Sequence, residues 1–222
     1  MNIAPKVPKL VLLTTLASSM LISATTLVAD DDPISANVAI STDYVWRGVS
    51  QTLENPAISG GFDFAPTDNW YVGVWGSNVD FGDVENMEFD IYAGWTTELD
   101  NGLGIDIGFI QYLYFDSAGD VDFNEFYAGL SHSGFSGTIS YDGDSKWTYY
   151  DLGYEYELAN GVGLAAHIGN YDLDSAGDYT DYSLGVSASL AGLDYALTYH
   201  DTDIDNLAEG DGRVVLTIGK SF

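Results

Sequence analysis

The chain has 222 residues, enough for one all-β domain, and its 34 acidic side chains against six basic ones give a formal charge of −28. Such a balance repels phosphates, which argues against a nucleic-acid partner, and it attracts cations. There is no cysteine, so disulfides hold nothing together, and 16 Tyr, 10 Phe and 5 Trp set in alternating patterns argue against disorder.

Lys6 and Lys9 precede an apolar run at 10–22, too short for a spanning helix but laid out like a secretory leader. Residues 1–29 are therefore expected to be a signal peptide, cut after Ala24 or Ala29, although Ile22 and Leu27 stand where a small residue is preferred. A retained membrane anchor is the alternative. The domain at 30–222 keeps Arg47, Lys146, Arg213 and Lys220 against all 34 acids, a charge of about −30. Export without cysteine or a lipidation signal leaves the periplasm, the medium or the outer membrane.

From residue 34 onward, alternating segments are split by Gly, Asn and Asp clusters. Twelve strands are predicted, over 34–46, 57–64, 70–81, 87–99, 103–115, 123–132, 135–141, 147–158, 162–171, 180–190, 193–200 and 213–222. In the fifth, Ile105, Ile107, Phe109 and Leu113 alternate with Asp106, Gly108, Ile110 and Tyr112. In the tenth, Tyr182, Leu184 and Val186 alternate with Ser183, Gly185 and Ser187. The third is ambiguous, because Trp70, Val72 and Val74 compete with Tyr71, Trp75 and Val79 for the outer face. The last runs out on Val214, Leu216, Ile218 and Lys220 to a terminal Phe222, a pattern suited to a membrane β-strand with an interfacial aromatic.

A soluble sandwich also buries one face of each strand, so alternation alone leaves both architectures open. Three features favour the barrel. The non-greasy face is Gly, Ser and carboxylate. Aromatics gather near strand ends (Tyr44, Trp46, Trp70, Tyr71, Trp95, Tyr154, Tyr156, Tyr199, Phe222), as in interfacial girdles. Connections after even strands are tight (Asn101-Gly102, Ser133-Gly134, Asn160-Gly161, Ala191-Gly192), as two-residue hairpins require, while those after odd strands are longer and acidic. The expected fold is all-β: a single antiparallel up-and-down transmembrane β-barrel of about 12 strands, preceded by a cleavable signal peptide, with both termini toward the periplasm. An internal echo accompanies it, since Gly94-Trp95 with Asn101-Gly102 recurs as Gly153-Tyr154 with Asn160-Gly161. Duplication and convergence explain that echo equally well.

The stretch Ser41-Thr42-Asp43-Tyr44-Val45-Trp46-Arg47-Gly48-Val49-Ser50-Gln51-Thr52 resembles the signature of the TorF (Gcw_chp) family of proteobacterial outer-membrane proteins, which are assigned as porins. Pro56-Ala57, Gly60-Gly61-Phe62-Asp63-Phe64, the run from Tyr71 to Phe81, Glu88-Phe89-Asp90-Ile91-Tyr92-Ala93-Gly94 and Lys220-Ser221-Phe222 extend the resemblance. It implies an outer-membrane barrel of a Gram-negative bacterium and a pore. It supplies neither a solute nor catalytic residues. Lipid, lipopolysaccharide and the barrel-assembly machinery are the partners implied by the class, the last reading the terminal strand at Phe222.

No enzyme chemistry is expected, and no cofactor. His132, His167 and His200 are far apart in sequence without metal-ligand spacing, and His132-Ser133-Gly134 offers a nucleophile without a third member. Asp201, Asp203 and Asp205 imitate a calcium loop, but Asn206 replaces the required Gly and Gly212 the bidentate Glu, leaving at most weak surface binding of Ca2+ or Mg2+.

By parity, Asp43, Asp63, Glu88, Asp90, Asp106, Glu125, Asp151, Glu155 and Asp194 point inward, against inward Arg47 and Arg213 only. Carboxylates in a low-dielectric tube must be hydrated, hydrogen-bonded or paired. A wet, narrow, cation-preferring lumen satisfies that condition. So does a closed interior filled by Tyr92, Tyr112, Tyr114 and Tyr127, which makes a structural or surface-binding barrel the alternative. Strand closure also predicts that Arg47 and Arg213 flank one another at the mouth, with Asp43 one step below as counter-ion.

Overall fold

The computed structural model describes residues 33–82, 85–115 and 121–222. The expected leader at 1–29 and the acidic stretch 116–120 lie outside the described residues. Fourteen strands follow in chain order: β1 (Ile34–Ser41), β2 (Val45–Trp46), β3 (Val49–Ser50), β4 (Ala57–Phe64), β5 (Trp70–Asp80), β6 (Glu85–Glu98) and β7 (Gly104–Phe115), then β8 (Phe123–His132), β9 (Phe135–Asp142), β10 (Thr148–Glu157), β11 (Val162–Asp172), β12 (Asp178–Leu190), β13 (Leu193–Thr202) and β14 (Arg213–Ser221). All but β2 and β3 form one closed antiparallel barrel, each pairing with its chain neighbours. The ring shuts where β1 lies between β14 and β4, with Asn37 opposite Ser221 and Ile34 opposite Phe64. Closure leaves no unpaired strand edge.

Side-chain parity sets two opposite surfaces. Ile107, Leu184, Leu197 and Ile218 all point outward, 36–61% exposed, rather than converging on an enclosed centre. In the ambiguous strand β5, Trp70 and Val72 face out, while Tyr71 and Val79 are buried inside. Leaving an aliphatic or aromatic side chain in water costs roughly 1.5–3 kcal/mol. A continuous belt of them is stable only against hydrocarbon, so the molecule is a transmembrane barrel.

The tight turns are of two kinds. At Ser133-Gly134 (φ 52° and 86°) and Ala191-Gly192 (φ 56° and 77°) both central residues take positive φ, as a two-residue type I′ hairpin demands. The Asn-Gly turns differ from expectation. At 99–103 the Gly102 N–H donates to Leu99 O (2.8 Å) and the Leu99 N–H to Leu103 O (2.9 Å), with the positive φ on Gly102. This is a type I turn followed by a glycine bulge, and 158–162 repeats it through Gly161.

The lumen wall is built from tyrosines lying flat on glycines. Tyr92 covers Gly73 directly across the ladder, Tyr71 covers Gly94, and Tyr127 covers Gly108. A Cβ on any of these glycines would overlap the ring. Tyr71, Tyr92, Ile110, Tyr112 and Tyr127 form one buried cluster against this wall.

Candidate functional site

The first barrel strand is expected to run to residue 46, but it ends at Ser41. Beyond it the chain turns into the barrel, and Val45–Trp46 pairs with Val49–Ser50 as a miniature hairpin. Arg47 (φ 49°) and Gly48 (φ 80°) form its two-residue tip, the backbone of a type I′ turn. The alternation of Tyr44 and Trp46 with Val45 and Arg47 is that of a strand, but of a separate one. Tyr44 and Trp46, with Tyr71, are therefore inside the barrel and not in an outer aromatic girdle; Trp46 packs edge-on to Tyr112, Phe123 and Tyr171.

The hairpin crosses the lumen. At its tip, the Gly48 Cα faces Thr202 and Asp181 so closely that a Cβ would collide with both. The Tyr179 hydroxyl donates to Arg47 O at 3.1 Å, fixing the tip to β12. Arg47 is 4% exposed. Its Nη2 donates to Glu125 Oε2 at 2.8 Å, and its Cζ lies 4.1, 4.2 and 4.5 Å from the ring centres of Trp46, Tyr149 and Tyr171. Burial opposes the charge on this guanidinium, while the Glu125 carboxylate more than restores it and holds its pKa above the ordinary range. Its Nη1 is buried without a hydrogen-bond partner among the described residues.

Arg47 and Arg213 do not flank one another as predicted. Asp43 is nevertheless the counter-ion of Arg213, as expected, Nη1 to Oδ2 at 3.1 Å, with Glu54 Oε1 at 3.5 Å. The inward turn after Ser41 swings Arg47 away from β14 and across to β8. Asp43 sits at the hairpin's foot, where its Oδ1 accepts from Ser50 Oγ (2.7 Å) and Thr52 Oγ1 (2.8 Å). Beside it, the Tyr44 hydroxyl donates to Glu88 Oε1 at 2.7 Å.

The other expected acids fall into four places. Asp63 accepts from Tyr92 (2.5 Å) and Asp106 from Tyr71 (2.7 Å), and Tyr71 also contacts the Tyr127 hydroxyl. Asp90, 5% exposed, has Glu88 and Glu125 as charged neighbours, and its Oδ1 is buried with no partner among the described residues. Glu155 and Asp194 stand toward the tight-turn rim, Asp194 accepting from Ser189 Oγ at 2.5 Å. Asp151 Oδ2 contacts His167 Nε2 at 2.6 Å. The terminal Phe222 is exposed and pairs through its backbone with Ala36.

Sequence reasoning from acids alone missed Asp142, Asp181, His167 and His200, all on the luminal face. Asp181, 2% exposed, accepts from Tyr149 at 3.0 Å and has His167 Nδ1 at 3.6 Å. Parity was the available signal: with Gly163 and Gly169 for His167, with Thr138 and Ser140 for Asp142, with Ser183 and Gly185 for Asp181, and with Thr198 for His200. Around the hairpin's foot the lumen keeps a cavity of about 10 Å³, the size of one water, lined by Ser41, Asp43, Tyr44, Ser59, His200 and Thr217 among others. No group of three or more metal-ligating side chains occurs among the described residues. Asp201 and Asp203 of the calcium-like run accept from Tyr199 and from the Thr180 N–H. His132 is far from the hairpin, its Nδ1 3.0 Å from Gly102 O at the tight-turn rim.

A family model described as "Bacterial protein of unknown function (Gcw_chp)" matches residues 29–222, and the chain belongs to that family. Comparison with curated proteins gives no match. Among solved structures, one from work on the in-meso crystallization of membrane proteins is similar at TM-score 0.56 and 9% identity, over 85% of this chain and 83% of that one. LpxR from Salmonella typhimurium is similar at TM-score 0.53 and 9% identity, over 85% of this chain and 99% of that one. OccD3 (OpdP) of Pseudomonas aeruginosa gives 0.46 at 15% identity, over 86% of this chain, which spans 65% of its length. These are likenesses of fold.

Proposed function

We propose that this Gcw_chp-family barrel is an outer-membrane porin that passes small cations passively, through a lumen that the β2–β3 hairpin shuts in the conformation described above. One observation carries the reading: the family's signature segment is neither wall nor surface loop but a hairpin laid across the lumen and held by charged groups. A wall needs no such insert to be stable, because Tyr–Gly pairs already fill it on the β5–β8 side. When the hairpin leaves, Glu88, Asp90 and Glu125 face open water with no wall base paired to them among the described residues, and such a field concentrates cations and repels anions.

The clamps set how often that happens. Arg47–Glu125, Tyr44–Glu88 and Arg213–Asp43 each involve a charged partner, a class of hydrogen bond worth about 1.5–3 kcal/mol. Losing even two of them without full recovery from water makes openings rare, since each ~1.4 kcal/mol is tenfold in population. Export by the leader at 1–29, insertion by machinery that reads the Phe222 strand, and lipopolysaccharide around the long-loop rim belong to the same reading. Catalysis does not.

Planar-bilayer recording of refolded protein tests it. Brief discrete openings are expected, with a reversal potential in a KCl gradient on the cation side. Silence under all voltages, in the wild type and in variants with a loosened hairpin, would favour the second reading, a permanently closed structural barrel. The Tyr71–Tyr92–Tyr112–Tyr127 cluster is what favours that alternative.

A further inference from the structure

The groups that hold the Arg47 side chain divide by origin. Trp46 belongs to the hairpin and leaves with it. Glu125 on β8, Tyr149 on β10 and Tyr171 on β11 belong to the wall and stay. We propose that these three form a receptor for a guanidinium-bearing cation, filled in cis by Arg47 and open to a free arginine-like solute when the hairpin withdraws. This deepens the gated-lumen reading by naming the class of solute.

The wall cleft is built before any ligand enters. Tyr149 and Tyr171 stand directly opposite each other in the β10–β11 ladder, ring centres 5.7 Å apart at 82°. Tyr149 is seated over Gly169 and its hydroxyl is held by Asp181 at 3.0 Å, with His167 Nε2 also at 3.0 Å. Trp147 meets the Tyr171 ring edge-on at 5.9 Å. Both rings are thus locked, with Glu125 (2% exposed) on β8, beyond β9 on the same arc of the wall. Two aromatic faces and a carboxylate are the complement of a flat, delocalised cation. A compact, strongly hydrated ammonium gains less from ring faces and loses more water.

Arg47 fills the cleft imperfectly. Only Nη2 reaches Glu125, and Nη1 is buried without a partner among the described residues. Its side chain is tethered to a turn whose tip has no room for even a Cβ against Thr202 and Asp181. An untethered guanidinium can rotate to give the carboxylate two parallel N–H donors, the stronger bidentate arrangement. The tethered group competes at a millimolar effective concentration, so a free solute displaces it only at comparable concentration.

Chemical rescue tests the receptor without reference to conductance. Full-length Arg47→Ala in detergent is expected to melt below the wild type. Methylguanidinium chloride, titrated from zero to about 50 mM at constant ionic strength, is expected to restore at least half of the lost melting temperature with a saturating curve. Methylammonium chloride should give no saturable gain, and Arg47→Ala combined with Glu125→Gln should lose the response to methylguanidinium. Equal effects of the two cations, or no effect of either, overturn the receptor. If Arg47→Ala does not fold, wild-type currents decide: L-arginine should raise the open fraction several-fold more than L-lysine at equal concentration, and parity between them overturns the proposal. Rescue with a silent bilayer keeps the receptor and removes the pore. Cation current without rescue does the reverse.

Discussion

Arg213 Nη1 lies 3.1 Å from Asp43 Oδ2, so the first residue of the last barrel strand is tied to the foot of the luminal hairpin. The contact joins positions 170 residues apart, and it exists because β14 closes the ring against β1.

Asp43 also accepts from Ser50 and Thr52, so the two members of this ion pair are not equivalent. Asp43→Ala takes one acceptor from three donors, Arg213, Ser50 and Thr52, of which Arg213 keeps Glu54 and the Ala208 and Asp211 carbonyls and Thr52 keeps Asn55 O. It is expected to lower stability by about 3–5 kcal/mol. Arg213→Ala leaves Asp43 its two hydroxyl donors and should lower it by about 1–3 kcal/mol. Urea unfolding in detergent, followed by tryptophan fluorescence, measures both. Equal losses would contradict the network.

Gly48 is required twice, once for its φ of 80° and once for its closeness to Thr202 and Asp181. Gly48→Val should expel the hairpin tip without dissolving the barrel, because no barrel-ladder pairing involves residue 48. The expected outcome is a folded band with unaltered heat-modifiable migration and a several-fold higher open fraction in bilayers. Loss of the folded band would place the hairpin among the elements the barrel needs in order to fold.

The Tyr–Gly wall predicts a different phenotype. Gly94→Ala drives a Cβ into the Tyr71 ring, forcing Tyr71 from its contacts with Asp106 and Tyr127, and should lower stability by about 1–3 kcal/mol. Tyr71→Phe removes only the hydroxyl, and should be the milder change at about 1 kcal/mol. Unfolding midpoints of the two variants settle their order.

The twelve wall strands were legible because hydrocarbon outside and a polar lumen inside impose a period of two on every strand, and the sequence carries that period from Ile34 to Phe222. The hairpin was not, and the reason is physical. Val45-Trp46-Arg47-Gly48-Val49-Ser50 has the same alternation as the wall, and parity reports which residues share a face without reporting which sheet the face belongs to. Arg47-Gly48 between β-branched and aromatic residues was the cue for a turn there. The partners of the acids were also out of reach, since Arg47–Glu125 spans 78 residues and depends on how far the hairpin leans across the lumen. Tyr149 and Tyr171 are inward by parity, yet nothing short of the barrel's curvature brings them against Arg47.

Asp90 and Asp106 separate the two roles an inward carboxylate can play. Asp106 accepts from Tyr71 and sits in the tyrosine wall, whereas Asp90 has a buried Oδ1 with no partner among the described residues and two acidic neighbours. A buried carboxylate oxygen without a partner destabilises its surroundings. Asp90→Asn is therefore expected to leave stability unchanged or raise it by up to about 2 kcal/mol, while Asp106→Asn weakens a charge-assisted bond and lowers it by about 1 kcal/mol. Both substitutions remove negative charge from the lumen, so the cation-to-anion permeability ratio from reversal potentials should fall in each, and further in the double variant. An unchanged ratio in the double variant would mean that these carboxylates do not shape the ion path. A large stability loss in Asp90→Asn would mean that its lone oxygen is held by ordered water.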